Sequence, residues 1–415
     1  MSTETTSFPK DQIRVVLLEK VHARADEVFA AAGYAVERID RALSPDELID
    51  AAGDAHVIGV RSRTAIPPEA LGRMPRLLAA GCFCIGTDHV ALDAARTRGT
   101  PVFNSPFGNT RSVAELTIAE CVALSRRLGD RSAQMHAGEW VKSAAGAKEV
   151  RGKTLGIVGY GHIGSQVSVL AEAMGMRVMF FDTASKLPLG NASHADSLVA
   201  LLEASDIVTL HVPDTPATQG LIGAAEIARM KPGAMLINNA RGSVVDIPAL
   251  AAALRERRLA GAAADVFPIE PGSPAEPFES ELRGLDNVIL TPHVGGSTEE
   301  AQATIADDVA TKLVRFLDNG STTGAVNVPE VELPSQAVTS GTRPHRILHF
   351  HRNVPGVLSR LHGSISELGV NVLGEYLQTD PELGYVVLDV DPRGAEGLGP
   401  ALKKIPDTVR LRVLW

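Results

Sequence analysis

The chain has 415 residues, of which 45% are hydrophobic and 21% are charged, and its formal net charge is −9. At roughly 100 to 200 residues per domain this length excludes a single hydrophobic core, and the ordinary composition excludes a largely disordered or fibrous protein. The acidic balance argues against a broad nucleic-acid-binding surface. The three cysteines, Cys82, Cys84 and Cys121, have no regular spacing, so neither a disulfide framework nor a metal site is expected.

The sequence also bears on the compartment. Residues 1–12 are polar, without a basic region followed by an apolar stretch. No segment has the roughly 18 uninterrupted apolar residues of a membrane span. We therefore expect a cytoplasmic protein that is neither exported nor embedded in a membrane.

The first hundred residues alternate short apolar runs with amphipathic stretches, with Gly or Pro between them, which is typical of a parallel α/β domain. The predicted strands cover residues 13–18, 35–39, 56–60, 77–80 and 101–103, and helices are expected over 25–32 and from Pro45. A long helix should follow, because Ser112-Val-Ala-Glu115 has the form of a capping box before the helix-forming run 116–128.

The same alternation restarts at Thr154 and predicts a second α/β domain. Its strands are expected over residues 155–159, 177–182, 206–211, 234–240, 262–267 and 288–291. Ser297 or Thr298 can cap a further helix that runs to Phe316. Residues 320–343 have little periodicity and indicate a linker. Beyond them the order β-α-β-β-α-β predicts a ferredoxin-like domain.

A glycine-rich segment, Gly159-Tyr-Gly-His-Ile-Gly164, suggests a dinucleotide site. The spacing alone is weak evidence, but here it follows a predicted strand and opens a helix, and Asp182 ends the next strand. The glycines let the backbone approach a pyrophosphate at the helix N-terminus. Asp182 favours NAD over NADP because a carboxylate binds the ribose hydroxyls and repels a 2′-phosphate. The nearby Lys186 leaves NADP open.

Three charged residues follow three predicted strands: Arg241, Glu270 and His293. Ligands of an open parallel sheet bind beyond the carboxyl ends of its strands, so these side chains are expected in one crevice. A histidine can accept the proton of an alcohol, an acid can stabilise its imidazolium, and an arginine can hold a carboxylate. Each residue alone also fits a solvated surface position or a turn. Their shared placement beside the glycine-rich segment favours a dehydrogenase.

From about residue 13 to its end, the chain resembles the NAD-dependent D-2-hydroxyacid dehydrogenases, most specifically bacterial members that oxidise 3-phospho-D-glycerate and carry a C-terminal regulatory ACT domain. The matching motifs lie at residues 58–64, 81–87, 109–115, 159–164, 186–192, 240–250, 265–267 and 291–298. The resemblance implies two Rossmann-like parallel-sheet domains plus a ferredoxin-like α+β ACT domain, an α/β protein overall. Its domain boundaries would be 1–108 with 295–330 for substrate binding, 109–294 for NAD, 331–343 as linker and 344–415 for the ACT domain.

The family's functional residues map onto this sequence by motif. The catalytic roles fall on Arg241, Glu270 and His293. The cofactor contacts fall on Gly159, Gly161, His162, Ile163, Gly164, Asp182, His211, Asn239, Ala240, Arg241, Asp265, His293, Val294, Gly295 and Gly296. The resemblance adds no metal to this set.

A phosphate-binding segment is expected at Arg61-Ser62-Arg63. In an extended chain Arg61 and Arg63 point to one side and can grip a phosphate together. Ser62, Asn109 and the backbone at Ile85-Gly86 would complete the substrate site, with Arg241 on the carboxylate. Exposed arginines paired with solvated acids are the alternative.

The resemblance implies L-serine as an allosteric inhibitor bound by His351, Asn353 and Asn371 in the ACT domain. Imidazole and amide groups suit an amino acid's charged ends and hydroxyl. Asn353 can instead cap the helix after Pro355. A homotetramer is also implied, assembled through the nucleotide domains and paired ACT sheets. Trp140 is a candidate interface anchor or, equally, a core residue.

Two departures from close relatives qualify this transfer. Asn239-Ala-Arg241 replaces Ala-Ser-Arg, which can alter a cofactor hydrogen bond, and Gly341-Thr-Arg-Pro344 replaces a Gly pair in the hinge before the ACT domain. The expected function is the first step of phosphorylated L-serine biosynthesis, with reduction of 2-oxoglutarate as a possible second activity. A dehydrogenase for another D-2-hydroxy acid and a noncatalytic, NAD-sensing co-repressor remain alternatives.

Overall fold

The computed structural model describes residues 9–272, 275–334, 344–393 and 397–414. The chain divides into two compact units, of which one is Asn109–Ala301 and the other joins the segments before and after it. The three-domain assignment from the sequence stays a prediction, and residues 341–343 of the predicted hinge lie outside the described part. Every helix in the described ranges is too short or too polar to cross a lipid bilayer.

The N-terminal sheet is parallel and five-stranded, in the order β2-β1-β3-β4-β5. Its strands are β1 (Val15–Leu18), β2 (Val36–Ile39), β3 (Val57–Val60), β4 (Ala79–Cys82) and β5 (Val102–Asn104). Its helices are α1 (Arg24–Ala31), α2 (Pro45–Ala52), α3 (Pro68–Gly72) and α4 (Leu92–Thr97). The strand side chains are buried on both faces of β1, β3 and β4, as in other parallel sheets.

The second unit contains a parallel seven-stranded sheet in the order β12-β11-β10-β9-β6-β7-β8. Its strands are β6 (Thr154–Val158), β7 (Arg177–Phe181), β8 (Ser193–His194), β9 (Ile207–Leu210), β10 (Ala234–Asn238), β11 (Leu259–Ala264) and β12 (Val288–Leu290). Its helices are α5 (Thr110–Arg126), α6 (Leu128–His136), α7 (His162–Ala173), α8 (Leu198–Ala204), α9 (Ala224–Arg229) and α10 (Ile247–Arg255), and α11 (Glu299–Asn319) follows. The order reverses between β6 and β9, which creates the crevice where such sheets bind nucleotides.

One predicted helix start is wrong and one agrees with the structure. Helix α5 begins at Thr110, before the predicted capping box, and Ser112 Oγ lies 2.9 Å from Thr298 Oγ1 instead of capping the helix. Thr298 Oγ1 accepts a hydrogen bond from Ala301 N at 3.1 Å, as expected of the residue before α11. Local sequence did not show that Ser112 has a partner far along the chain.

The C-terminal residues form an antiparallel sheet in the order β14-β15-β13-β16. The elements follow the predicted order: β13 (His345–Arg352), α12 (Val357–Glu367), β14 (Val372–Thr379), β15 (Leu383–Val390), α13 (Leu398–Lys403) and β16 (Thr408–Leu414). The ferredoxin-like prediction is therefore confirmed. One sheet face packs against α12 and α13.

The other face of this sheet packs into the core formed by α1, α11 and the N-terminal sheet. Phe350 stacks on Tyr385 with ring centroids 3.9 Å apart, and the Tyr385 hydroxyl donates to Gly320 O at 2.6 Å. Buried Arg346 pairs with Asp389 and also donates to three backbone carbonyls, those of Asn319, Leu333 and Pro334. Residues 320–334, predicted as linker, are thus packed against this sheet.

Candidate active site

The glycine-rich turn has the geometry that a dinucleotide requires. Gly159 follows β6 with φ +92°, and a Cβ there would lie 2.6 Å from His211 O. Gly161 precedes the first turn of α7, and a Cβ on Gly164 would collide with Gly159 O. A side chain at Gly159 or Gly164 would therefore break the close contact of turn and helix. Backbone N–H groups at the start of a helix such as α7 can receive a pyrophosphate.

Two further predicted cofactor residues lie at neighbouring strand ends. Asp182 follows β7, and its carboxylate accepts hydrogen bonds from Tyr160 N and Ala184 N, both at 2.8 Å. These bonds fix the carboxylate at the position where this fold binds ribose hydroxyls. His211 follows β9 with Nε2 3.0 Å from Thr209 Oγ1, and burial lowers its pKa to about 3. Its ring is therefore neutral.

The turn that carries Arg241 is held by amide side chains. Asn238 Oδ1 accepts from Ala240 N at 3.1 Å, and Asn238 Nδ2 donates to Arg241 O at 3.0 Å. Asn239 turns its side chain into the protein, where Nδ2 donates to Glu120 Oε2 at 2.7 Å and Thr117 Oγ1 at 3.0 Å. The departure at Asn239 therefore adds an internal anchor on helix α5.

His293 and Glu270 form a hydrogen-bonded pair, with His293 Nδ1 2.8 Å from Glu270 Oε2. The hydrogen bond from Glu270 is the main cause that raises the pKa of His293, against an opposing effect of burial. Burial tends to raise the pKa of Glu270, but hydrogen bonds from His293 and Phe267 N outweigh it and lower that pKa. Arg241 acts electrostatically on both residues, so the structure brings the trio together.

Asp265 organises the turn around His293, which has a left-handed φ of +54°. The Asp265 side chain is buried and accepts from Thr291 Oγ1 at 2.6 Å, Val294 N at 2.8 Å and Gly295 N at 2.7 Å. A Cβ on Gly295 would lie 2.9 Å from Asp265 Oδ2, and one on Gly296 would collide with the Asn109 amide. Glycine at these two positions therefore lets the turn pack closely against Asp265 and Asn109.

The predicted phosphate-binding segment lies beside a cavity of about 550 Å³. The cavity is lined by Glu19, Lys20, Asp40, Arg41, Ala42, Arg61, Ser62 and Arg63. The prediction of an extended chain was wrong, since the chain bends at Ser62 and Arg63 after β3 ends at Val60. Both arginines nevertheless border the cavity, and a shared phosphate site stays a prediction.

The remaining substrate residues lie in two places. Cys84 Sγ lies 3.3 Å from Arg61 O and 3.1 Å from Gly86 O, which links the Arg61 segment to the Ile85-Gly86 backbone. Burial raises the pKa of Cys84 to about 12, so its thiol is a structural donor. Asn109 belongs to the other unit and precedes α5. Its buried Oδ1 has no hydrogen-bond donor within the described ranges.

The three predicted serine residues do not come together within one chain. Asn353 N donates to Glu382 O at the start of β15, whereas Asn371 O accepts from Asp391 N just after the end of β15. Nine residues of antiparallel strand span about 30 Å. His351 is buried beside His349, with ring centroids 5.3 Å apart. Asn353 Nδ2 donates to Asp380 O at 2.7 Å, and Gly356 precedes α12 without a side-chain cap, so the alternative in which Asn353 caps this helix is wrong.

Sequence reasoning missed two groups of site residues. Lys20 and Arg41 border the same cavity as Arg61, and each lies shortly after a strand, so the strand-end rule would have found them. Buried Glu19 accepts from Arg63 N at 3.1 Å and Thr64 N at 2.7 Å. Glu19 also follows a strand, but no sequence pattern shows that it is buried, because its partners are backbone groups of a distant segment.

Comparison with known proteins agrees with this geometry. Residues 118–295 match the family of the D-isomer specific 2-hydroxyacid dehydrogenase NAD binding domain, and residues 347–410 match the AHAS small subunit-like ACT domain. The chain is 53% identical to the D-3-phosphoglycerate dehydrogenase of Haemophilus influenzae, over 100% of both chains. The chain belongs to the D-3-phosphoglycerate dehydrogenase family. The Escherichia coli K12 member is 52% identical over 99% of each chain.

Solved structures of the wider family have the same fold. The Thermus thermophilus protein TT0316 matches with a TM-score of 0.68 at 33% identity, over 75% of this chain and 99% of that one. The D-lactate dehydrogenase of Aquifex aeolicus, complexed with NAD and lactic acid, matches with a TM-score of 0.65 at 28% identity, over 76% and 100%. Membership in this family makes the chain an NAD-dependent oxidoreductase.

Proposed function

We propose that this chain oxidises 3-phospho-D-glycerate to 3-phosphohydroxypyruvate, the reaction that commits 3-phosphoglycerate to L-serine. The observation that carries this proposal is the His293–Glu270 pair beside Arg241, in a unit that also holds the glycine-rich turn. NAD, when bound, accepts the hydride from the substrate carbon. The protein's own residues move the proton and orient the substrate.

His293 is the residue that accepts the substrate proton. Its Nδ1 faces Glu270, so Nε2 is the atom that takes the proton from the substrate hydroxyl. Glu270 stabilises the imidazolium that forms and fixes the ring's orientation. In the reverse reaction the same imidazolium returns the proton to the ketone oxygen.

Three arginines bind the charged groups of the substrate. Arg241 holds the substrate carboxylate and favours negative charge on the oxygen at the reacting carbon. Arg61 and Arg63 hold the phosphate, since guanidinium groups bind phosphate oxygens in bidentate fashion. Ser62, the Ile85-Gly86 backbone and Asn109 are the additional substrate contacts. Lys20 adds a further positive charge at the cavity edge.

A substrate panel tests this proposal. The Arg61→Ala/Arg63→Ala variant should show a much higher KM for 3-phosphoglycerate and little change for a nonphosphorylated 2-hydroxy acid. Equal losses on both substrates would contradict the phosphate assignment, and a higher kcat/KM for a nonphosphorylated acid in the parent protein would favour the alternative dehydrogenase. Intact NAD binding without turnover of any acid would favour the co-repressor. The reduction of 2-oxoglutarate should be measured with the same substrate panel.

We further propose inhibition by L-serine in an assembly of several copies. Asn353 and Asn371 lie at opposite ends of β15, so a serine that contacts both needs a second copy of the sheet. Strand β14 is at the sheet edge, where pairing between copies can occur. Trp140 is 80% exposed, so its alternative as a core residue is wrong and its role as an interface anchor stays a proposal.

Serine titration of initial rates tests the regulatory part. Inhibition should appear at or below millimolar serine and weaken in Asn353→Ala and Asn371→Ala variants. An unchanged rate at millimolar serine would reject it. The tetrameric state and the cytoplasmic location stay predictions.

A further inference from the structure

Glu120 is a buried carboxyl group behind the active-site turns. It lies on α5 with an exposed fraction of 2%, and Asn239, on the turn that carries Arg241, is 8% exposed. Asn239 Nδ2 donates to Glu120 Oε2 at 2.7 Å. The remaining acceptors of the two groups, Glu120 Oε1 and Asn239 Oδ1, are buried and have no hydrogen-bond donor within the described part of the chain.

Two buried acceptors without donors are unfavourable, since each has lost its water and gained nothing in exchange. An ionised Glu120 would also carry a buried charge stabilised by one neutral amide donor. A single proton on Glu120 Oε1 removes both problems. It would neutralise the carboxylate and would give Asn239 Oδ1 a donor on the residue that its own Nδ2 already contacts, as in the cyclic pairing of a carboxylic acid with an amide.

We propose that Glu120 is protonated and pairs with Asn239 as a carboxylic acid with an amide, and that this pair positions the turn bearing Arg241. Glu120 thus acts through Asn239, without touching the substrate or the cofactor. The inference deepens the function proposed above and assigns a role to the Asn239 departure.

The surroundings of Glu120 favour the neutral form. Burial raises the pKa of Glu120 to about 7, the hydrogen bond from Asn239 opposes this, and the negative charge of Asp265 adds to it. The adjacent Cys121 is a buried thiol whose pKa burial also raises, so it supplies no compensating charge. Asp265 holds the His293 turn through Val294 N and Gly295 N. An ionised Glu120 would therefore repel the carboxylate that holds the His293 turn.

The connection to Arg241 runs through two residues of backbone. Asn239 and Ala240 lie between β10 and Arg241, and Asn238 secures this turn from the strand side. The acid–amide pair is its anchor on the helix side. Losing the anchor leaves the turn held by the Asn238 side chain and by the hydrogen bond from Val244 N to Arg241 O, without support from helix α5. The expected consequence is a displaced guanidinium, with a higher KM for the hydroxy acid and a lower kcat.

Four variants separate protonation from mere packing. Glu120→Gln replaces the acid by an amide that donates and accepts in the same places. Glu120→Ala removes the pair, and Asn239→Asp sets two carboxyl groups against each other. The double variant Glu120→Gln/Asn239→Asp restores an acid–amide pair with the two groups exchanged. Thr117→Val is the matched control, because it removes the other acceptor of Asn239 Nδ2 and leaves the carboxyl group untouched.

Steady-state kinetics at pH 6 gives the first readout. Glu120→Gln and Thr117→Val should stay within about threefold of the parent in kcat and KM, whereas Glu120→Ala and Asn239→Asp should lose roughly tenfold to a hundredfold in kcat/KM, as expected for unpaired buried polar groups. The double variant should recover most of the loss of Asn239→Asp. Glu120→Gln as damaging as Glu120→Ala, or a double variant no better than Asn239→Asp alone, would overturn the proposal.

Infrared spectroscopy gives a readout that needs neither turnover nor the damaged variants. The parent-minus-Glu120→Gln difference spectrum at pH 6 should contain the carbonyl stretch of a protonated carboxylic acid, and the Thr117→Val difference should not. Only a carboxylate band at Glu120 would overturn the pairing. Because this measurement uses the NAD-free protein without substrate, it distinguishes failure of the pair from failure of the proposed reaction.

Discussion

His293 Nδ1 lies 2.8 Å from Glu270 Oε2, and the two residues come from turns that follow different strands of the seven-stranded sheet. The hydrogen bond and the negative charge of Glu270 raise the pKa of His293. They also stabilise the imidazolium that forms when the histidine takes the substrate proton. Glu270 therefore both raises the pKa of His293 and orients its ring.

Replacing Glu270 by Gln should lower kcat about tenfold to hundredfold, because a positioned acid–base group contributes roughly 10²–10⁴-fold and loses its charged partner here. The pKa of His293 should fall when the carboxylate is gone. Oxidation needs neutral His293, so activity is lost as the pH falls through that pKa. The acidic limb of the kcat/KM profile should therefore shift to lower pH in the variant.

The matched control is Glu279→Gln, which alters an exposed acid ion-paired to Arg283. Its profile should coincide with that of the parent protein. An acidic limb that stays in place in Glu270→Gln would show that another group governs the titration.

Glu19→Gln tests the support of the phosphate-binding segment. Glu19 accepts from Arg63 N and Thr64 N, and an amide can accept only one of these bonds while its NH₂ group faces the other N–H. We expect a KM for 3-phosphoglycerate raised about threefold to tenfold, with kcat nearly unchanged. Glu203→Gln, at an exposed ion pair with Arg229, is the control. A loss confined to kcat would count against this positioning role.

The sequence was sufficient for the sheets and for the strand-end residues, because both follow from local periodicity and from the geometry of parallel sheets. It placed Arg241, Glu270 and His293 near one another from their positions after three strands, and the 2.8 Å contact agrees. The glycine-rich turn was equally visible, since φ at Gly159 and the close approach at Gly164 demand glycine.

Contacts between distant segments were out of reach of the sequence. The Ser112 pattern predicted a helix cap, yet its hydroxyl pairs with Thr298. Glutamate side chains usually lie at the protein surface. Glu19 and Glu120 are nevertheless buried, and each forms a hydrogen bond with a residue more than forty positions away. Glu19 likewise contacts the bent segment through Arg63 N and Thr64 N, a partner that the extended spacing of Arg61 and Arg63 did not reveal.

Asp389→Asn should destabilise the C-terminal sheet strongly. Arg346 and Asp389 have side chains only 1% and 3% exposed, and the substitution leaves the guanidinium charge buried without its counter-ion. Breaking such a pair typically costs about 3–5 kcal/mol of unfolding free energy. Urea unfolding followed by circular dichroism measures this value. Asp407→Asn, at a partly exposed ion pair with Arg360, should change it by less than about 1 kcal/mol.

Glu120 also predicts how stability depends on pH. In the unfolded chain a glutamate ionises near pH 4.3, whereas burial in the folded protein raises the pKa of Glu120 to about 7. Between these values the folded state binds one proton more than the unfolded state, so this group's contribution to the unfolding free energy is complete below pH 4 and decreases as the pH rises to 7. Glu120→Gln has no such proton. The unfolding free energies of parent and variant should be measured in urea at half-unit steps from pH 4 to 8. Relative to the variant, the parent should become less stable as the pH rises to 7, and the difference should then stay constant. A difference that stays constant across this range would mean that Glu120 is ionised in the folded protein at acidic pH.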